Sequence, residues 1–186
     1  MSFIFNSLRI PDVISITPHL FNDERGYFFE NFNHSKFNQN QIDLNFIQEN
    51  FSKSKKNVIR GLHFQKNPKA QAKLVTVVSG EIFDVAVDLR KNSPTFGKWV
   101  SEILSEVNHK SLYVPEGFAH GFCVLSEEAD VLYKVNQEYS PEDERGIVWN
   151  DPETNITWSI NKPILQEKDS LLPTLKNAEN NFVYLH

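Results

Sequence analysis

Two histidines stand where their chemistry could be used. His63 ends the run Asn57-Val-Ile-Arg-Gly-Leu-His63, and His120 follows the Pro/Gly turn of Tyr113-Val-Pro-Glu-Gly-Phe-Ala-His120. A turn of this composition ends one strand and restarts another, which predicts His120 at the rim of a sheet, where a barrel has its pocket. Imidazoles presented from two strands serve metal binding, acid–base catalysis or polar recognition. Lys73 heads the apolar run Lys73-Leu-Val-Thr-Val-Val78. It is either a strand-edge charge reaching solvent or a fixed cation aimed inward. Tyr133 shares a strand face with Val131 and Val135, the ordinary place of a core tyrosine whose hydroxyl is satisfied. Arg25 and Arg60 carry the planar fork that pairs with phosphate oxygens, although most arginines are simply solvated.

These side chains need a scaffold, and turn signals separate short β-rich runs along most of the chain. Residues 14–17, 27–32, 58–64, 73–78, 82–88, 99–104, 112–114, 122–125 and 131–135 read as strands. Within 82–88, Phe83, Val85 and Val87 fall on one face and Asp84 and Asp88 on the other, a period of two. Helix signals are confined to 33–41 and to Lys168-Asp-Ser-Leu-Leu-Pro173. There is no internal repeat and no linker, so residues 1–186 are expected to form one all-β domain, a jelly-roll barrel with short flanking helices.

Composition narrows the function. A net charge of −5 argues against nucleic acid and anionic membrane surfaces as partners. The start of the chain lacks the basic and apolar regions of a signal peptide, and no stretch approaches transmembrane length. Cys123 is the one cysteine, which excludes an intrachain disulfide and makes the cytoplasm the default compartment. Inside an apolar strand it reads as a small buried hydrophobe, not a nucleophile.

The layout resembles metal-binding cupins, whose second motif PxGxxH is present as Pro115-Glu-Gly-Phe-Ala-His120. The first motif is broken, because Gln65 stands where the second histidine of HxH belongs. Glutamine is a weak ligand for zinc or iron, so no metal is expected.

Further fragments extend the likeness: Asp23-Glu-Arg-Gly-Tyr-Phe-Phe-Glu30, Gln48-Glu-Asn50, Arg60-Gly-Leu-His-Phe-Gln65, Gln71-Ala-Lys73, Tyr139-Ser-Pro-Glu-Asp-Glu144 and Leu165-Gln-Glu-Lys-Asp169. In order and spacing, from about Ile14 to Leu175, the chain resembles the dTDP-4-dehydrorhamnose 3,5-epimerases. That resemblance implies a metal-free, cofactor-free jelly roll, usually a homodimer, acting on a dTDP-4-keto-6-deoxyhexose. It implies His63 as the base with Asp169 behind it, Lys73 as stabiliser of the developing oxyanion, and Tyr133 as the opposing acid. Epimerisation beside a ketone needs these three roles, and an imidazole titrating near about 6.5 suits the first. By the same resemblance Tyr139 stacks on the thymine. Arg25, Phe28, Glu30, Gln48, Asn50, Arg60, His120, Glu144 and Lys168 contact substrate, and the Arg25–Glu30 arm can reach a partner's pocket.

Ser159 and Asn136 depart from residues common in that family, without touching the proposed acid, base or oxyanion groups. One conflict remains within the pattern itself. Strict alternation puts Arg60 and His63 on opposite faces of a strand, unless a bulge at Gly61 resets the phase.

Overall fold

Alternating apolar residues and frequent turns fold into strands joined by antiparallel pairing. The computed structural model describes residues 3–43, 45–160 and 162–184. The ends of the span expected as one domain, with Leu44 and Asn161, lie outside the described residues. In chain order the elements are β1 (Phe3–Ser7), β2 (Ile14–Pro18), β3 (Phe21–Asp23), β4 (Gly26–Phe28), α1 (His34–Asn38), β5 (Gln48–Lys55), β6 (Ile59–Gln65) and β7 (Lys73–Ser79). There follow β8 (Glu81–Asp88), β9 (Trp99–Ser105), β10 (Ser111–Val114), β11 (Phe118–Val124), β12 (Glu128–Val135), β13 (Glu144–Gly146) and α2 (Glu167–Ser170).

One sheet runs β1-β2-β10-β7-β12-β5 and the other β13-β6-β11-β8-β9, while β3 and β4 form a separate hairpin. This is the all-β, jelly-roll layout expected, with two short helices at its flanks. Val75 and Val77 of β7, Leu112 of β10 and Val131 of β12 meet Ile82 and Ala86 of β8, Leu104 of β9 and Phe122 of β11 between the sheets. The outer face of the second sheet, with Leu62, Val85, Val87 and Cys123, is covered by Ile147, Trp158, Leu175 and Phe182 from the C-terminal segment. The outer face of the first sheet packs Ile16, Leu74 and Tyr113 against Phe37 of α1 and against Ile42. Three layers of apolar contact thus hold the two sheets and their outer covers together.

The strands lie largely where turn signals and apolar patterning place them, with informative exceptions. Strand 27–32 is only β4, because Phe29 turns to pack on His109, and Phe32 packs on Phe37 and Phe46. β1, β3, β5 and β13 escaped the pattern. β5, Gln-Glu-Asn-Phe-Ser-Lys-Ser-Lys, is an edge strand with one face in solvent and the other lining a polar cavity, so it has no apolar face to detect. α1 begins where Asn33 caps it by accepting from the Lys36 amide at 3.2 Å. His120 is not at a sheet rim; it sits within β11, buried between the sheets. Burial pushes the Cys123 thiol up to about 11, which suits a structural thiol. No described helix is long and apolar enough to cross a membrane.

Candidate active site

The phase conflict on β6 is resolved by a bulge. His63 pairs with His120 and Arg60 with Phe122, so β6 spends three steps where β11 spends two. The extra residue falls at Gly61, whose φ of +113° belongs to glycine. A Cβ there would stand 2.6 Å from both the Gly121 Cα and the His120 carbonyl oxygen. Arg60 and His63 consequently both line one cleft.

Two adjoining cavities make up that cleft, of about 220 and 270 Å³. His63, Lys73, Tyr133 and Glu144 line both. The smaller adds Ser52, Arg60, His120, Lys168 and Asp169. The larger adds Gln48, Asn50, Gln65, Gln71 and Tyr139. His63 comes from one sheet and Tyr133 from the other, so the imidazole and the phenol approach from opposite walls. Lys73 and Tyr133 are diagonal neighbours on adjacent strands: Lys73 pairs with Val135, and Tyr133 with Val75.

His63 Nε2 lies 2.9 Å from Asp169 Oδ1. Asp169, buried on α2, also accepts from the Gly61 amide at 3.4 Å through Oδ2. Burial alone would push the Asp169 carboxyl up. The hydrogen bonds from His63 and Gly61 and the nearby Lys168 charge outweigh it and hold the group below the usual carboxylate range. Lys73 is buried and donates to the His63 carbonyl at 3.3 Å. Desolvation lowers its ammonium to about 8, against the pull of Asp84 and Glu144. Tyr133 is raised by burial and by Glu144, with Arg60 opposing, so its phenol keeps its proton at neutral pH.

A residue that sequence reading left without a role also belongs here. Asp84, fully buried on β8, bonds His120 Nε2 at 2.5 Å, while its Oδ2 has no partner. Its position on the polar face of a period-two strand was legible; that this face points into the barrel was not. Ser52 Oγ, in the cavity wall, is likewise buried without a partner. Among the described residues, no three His, Cys, Asp or Glu side chains are grouped as a metal would need. The donor set does not fit a cation: each histidine Nε2 is held by a carboxylate, and Gln65 is turned to backbone.

The nucleotide-contact candidates divide. Arg60 bonds Ser54 Oγ at 2.9 Å beside the cleft. Tyr139, half exposed, donates its hydroxyl to Glu144 at 3.0 Å, and Lys168 stands 3.5 Å from the same carboxylate oxygen. Gln48 bonds Asn50 and the Tyr139 amide. Arg25, Phe28 and Glu30 are not part of this chain's cleft. Arg25 is 90% exposed at the hairpin tip and paired with Asp23, Phe28 faces solvent, and Glu30 is held by Lys36.

Known proteins with this arrangement are numerous. The chain matches the family model of dTDP-4-dehydrorhamnose 3,5-epimerase over residues 7–177. A protein of that name from Shigella flexneri is 55% identical over 162 residues, which span 87% of this chain and 90% of that protein. The crystal structure of a dTDP-6-deoxy-D-glucose-3,5-epimerase from Legionella pneumophila, in complex with dTDP-4-keto-L-rhamnose, superposes with a TM-score of 0.91 at 43% identity over 94% of both chains. A dTDP-4-dehydrorhamnose 3,5-epimerase from Bacillus anthracis, with TDP and PPi bound, gives 0.90 at 47% identity, covering 92% of this chain and 99% of that one.

Proposed function

Since this chain belongs to the dTDP-4-dehydrorhamnose 3,5-epimerase family, we propose that it inverts C3 and C5 of dTDP-4-dehydro-6-deoxy-D-glucose, giving dTDP-4-dehydro-L-rhamnose. The observation that carries this reading is the convergence of the His63–Asp169 pair, Lys73 and Tyr133 on one cleft from two facing sheets.

The C4 ketone acidifies the hydrogens on its two neighbouring carbons. His63 withdraws one of them, and the bonding electrons move into the ring as the C4 oxygen becomes an enolate oxygen. The Lys73 ammonium, in a dry setting, stabilises that oxygen more strongly than water would. Asp169 holds the imidazole in place and stabilises its protonated form. Tyr133 then delivers its phenolic proton to the opposite face of the same carbon, and the configuration is inverted. Proton exchange with solvent resets His63 and Tyr133 before the second carbon reacts.

The remaining residues serve binding. The Tyr139 face accepts the thymine, with Gln48, Asn50 and Glu144 around it. Arg60 and Lys168 offset the diphosphate charge. His120, held by Asp84, and the unpaired Ser52 hydroxyl face the sugar. The enzyme works as a homodimer in which the β3–β4 hairpin supplies Arg25 and Phe28, and the segment just after it Glu30, to the partner's cleft. The exposure of Phe21, Tyr27 and Phe28, each more than half in solvent, supports a covered role for this hairpin. Its compartment is the cytoplasm, where a lone thiol stays reduced.

Turnover in deuterated water, followed by a reductase that consumes the product, tests the chemistry. Label is expected at both C3 and C5. Active protein that places label at neither carbon rules out the proton shuttle.

A further inference from the structure

Tyr139 sits on residues 136–143, the connection between β12 and β13, which contains no helix or strand. Yet an aromatic platform is useful only if its ring is already in place when the base arrives, since ordering it at binding costs affinity. Side-chain amides hold this segment from several directions. The Gln65 Nε2 donates to the Lys69 carbonyl at 2.7 Å and to the Glu138 carbonyl at 3.2 Å. Its Oε1 accepts from the Ser140 amide at 2.8 Å. Gln71 donates to the Gln137 carbonyl at 2.8 Å, and Asn136 accepts from the Ala72 amide at 2.8 Å.

Gln65 thus bonds the residues immediately before and after Tyr139, from a position only 3% exposed on strand β6. Both of its amide hydrogens and its carbonyl oxygen are used at once. No other side chain of similar size does this. A carboxylate has no donor, and a neutral imidazole has one donor and one acceptor. The position at which metal-dependent cupins carry their second histidine has here been given to a different task.

We propose that Gln65 is a positioning residue that clamps the 138–140 backbone so that Tyr139 presents its ring to the nucleobase. Gln65 acts on the nucleotide end of the substrate through Tyr139, not on the reacting carbons. The proposal rests on the reading of Tyr139 as the base platform.

The test compares Gln65→Met, Tyr139→Ala and the double variant with the wild type. dTDP affinity is read by titration calorimetry, and KM and kcat with the 4-keto sugar nucleotide. Gln65→Met keeps the volume and removes all three bonds. It is expected to weaken dTDP binding and raise KM about tenfold, with a smaller change in kcat. In the Tyr139→Ala background the same substitution is expected to add less than about a further twofold. Should Gln65→Met fail to fold, Gln71→Met frees the neighbouring Gln137 carbonyl and is expected to weaken dTDP about threefold. dTDP affinity unchanged in Gln65→Met, or in Gln71→Met if that replaces it, overturns the clamp, as do fully multiplicative effects in the double variant. An unchanged affinity in Tyr139→Ala overturns the platform reading itself, and the clamp with it.

Discussion

His63 and Asp169, separated by 106 positions in the chain, meet at 2.9 Å, and the carboxylate that holds the imidazole also reaches the amide of Gly61 on the same strand. One buried acid therefore fixes both the ring and the bulge that aims it. Substituting His63 by Ala is expected to lower kcat about 10³-fold. Asp169→Asn should recover little of that activity, because an amide cannot stabilise the imidazolium. The double variant should be scarcely worse than His63→Ala alone, since the two act as a unit. Independent, multiplicative losses in steady-state kinetics would separate them.

Gly61 has no room for a side chain against Gly121 and His120, and its φ is positive. Gly61→Ala is expected to lower stability by at least about 2 kcal/mol and to remove activity together, because the strand must shift to admit the methyl. Denaturant unfolding and turnover measure the two. Full stability would show that β6 has slack which this geometry does not predict.

Lys73, held near 8, is a cation at the price of its own burial. In kcat/KM, which reports the free enzyme, activity should fall as pH rises through about 8. Lys73→Arg, whatever its reduced rate, should shift that limb upward. Stability has the opposite sign. Between about 8 and the ordinary 10.5 the unfolded chain binds more protons than the folded one, so stability rises with pH over that window. Lys73→Met should flatten the rise, abolish turnover and stabilise the protein at pH 7 by up to about 3 kcal/mol. A destabilised Lys73→Met protein would contradict this account.

Tyr133 keeps its proton because burial raises it, as an acid requires. In Tyr133→Phe, His63 still withdraws and returns a proton on its own face. Solvent deuterium should therefore enter the substrate while inversion falls about 10²-fold or more. Proton NMR of the recovered sugar nucleotide distinguishes exchange from inversion. Normal inversion would remove Tyr133 from the mechanism.

Arg25 lies outside its own chain's cleft, exposed at a hairpin tip. If the hairpin serves a partner, mixing Arg25→Ala and His63→Ala proteins creates one complete site per mixed dimer, and about a quarter of all sites recover. Measured at low substrate, that recovery is the expected result. An unimproved mixture, with subunit exchange verified, would assign the hairpin to its own chain or to no site.

Much of this arrangement is legible in the amino-acid sequence. β8 and β12 announce themselves because apolar residues alternate along them, and β7 because it is a continuous apolar run between turn signals. The Pro/Gly turn before β11 marks a restart, and the spacing of His63, Lys73, Tyr133 and Asp169 carries the family likeness. β5 stayed invisible for a physical reason. An edge strand with solvent on one side and a polar cavity on the other has no hydrophobic period to read. Asp84 stayed unassigned because alternation says which residues share a face, not whether that face meets water or the barrel interior. Gln65 could be seen to replace a metal ligand, but two of its three backbone partners, Glu138 and Ser140, come from a connection brought near only by the closed fold.

Local chemistry is written along the chain: which residues extend, which turn, and which side chains have a pKa or a fork worth using. Convergence is not, because it depends on register. A single extra residue at Gly61 sets whether Arg60 and His63 share a wall, and sheet closure sets whether a buried carboxylate from α2 arrives behind the imidazole. Side-chain direction in a strand reverses with every step, so only the assembled pairing of β6 with β11 could decide which groups face one another.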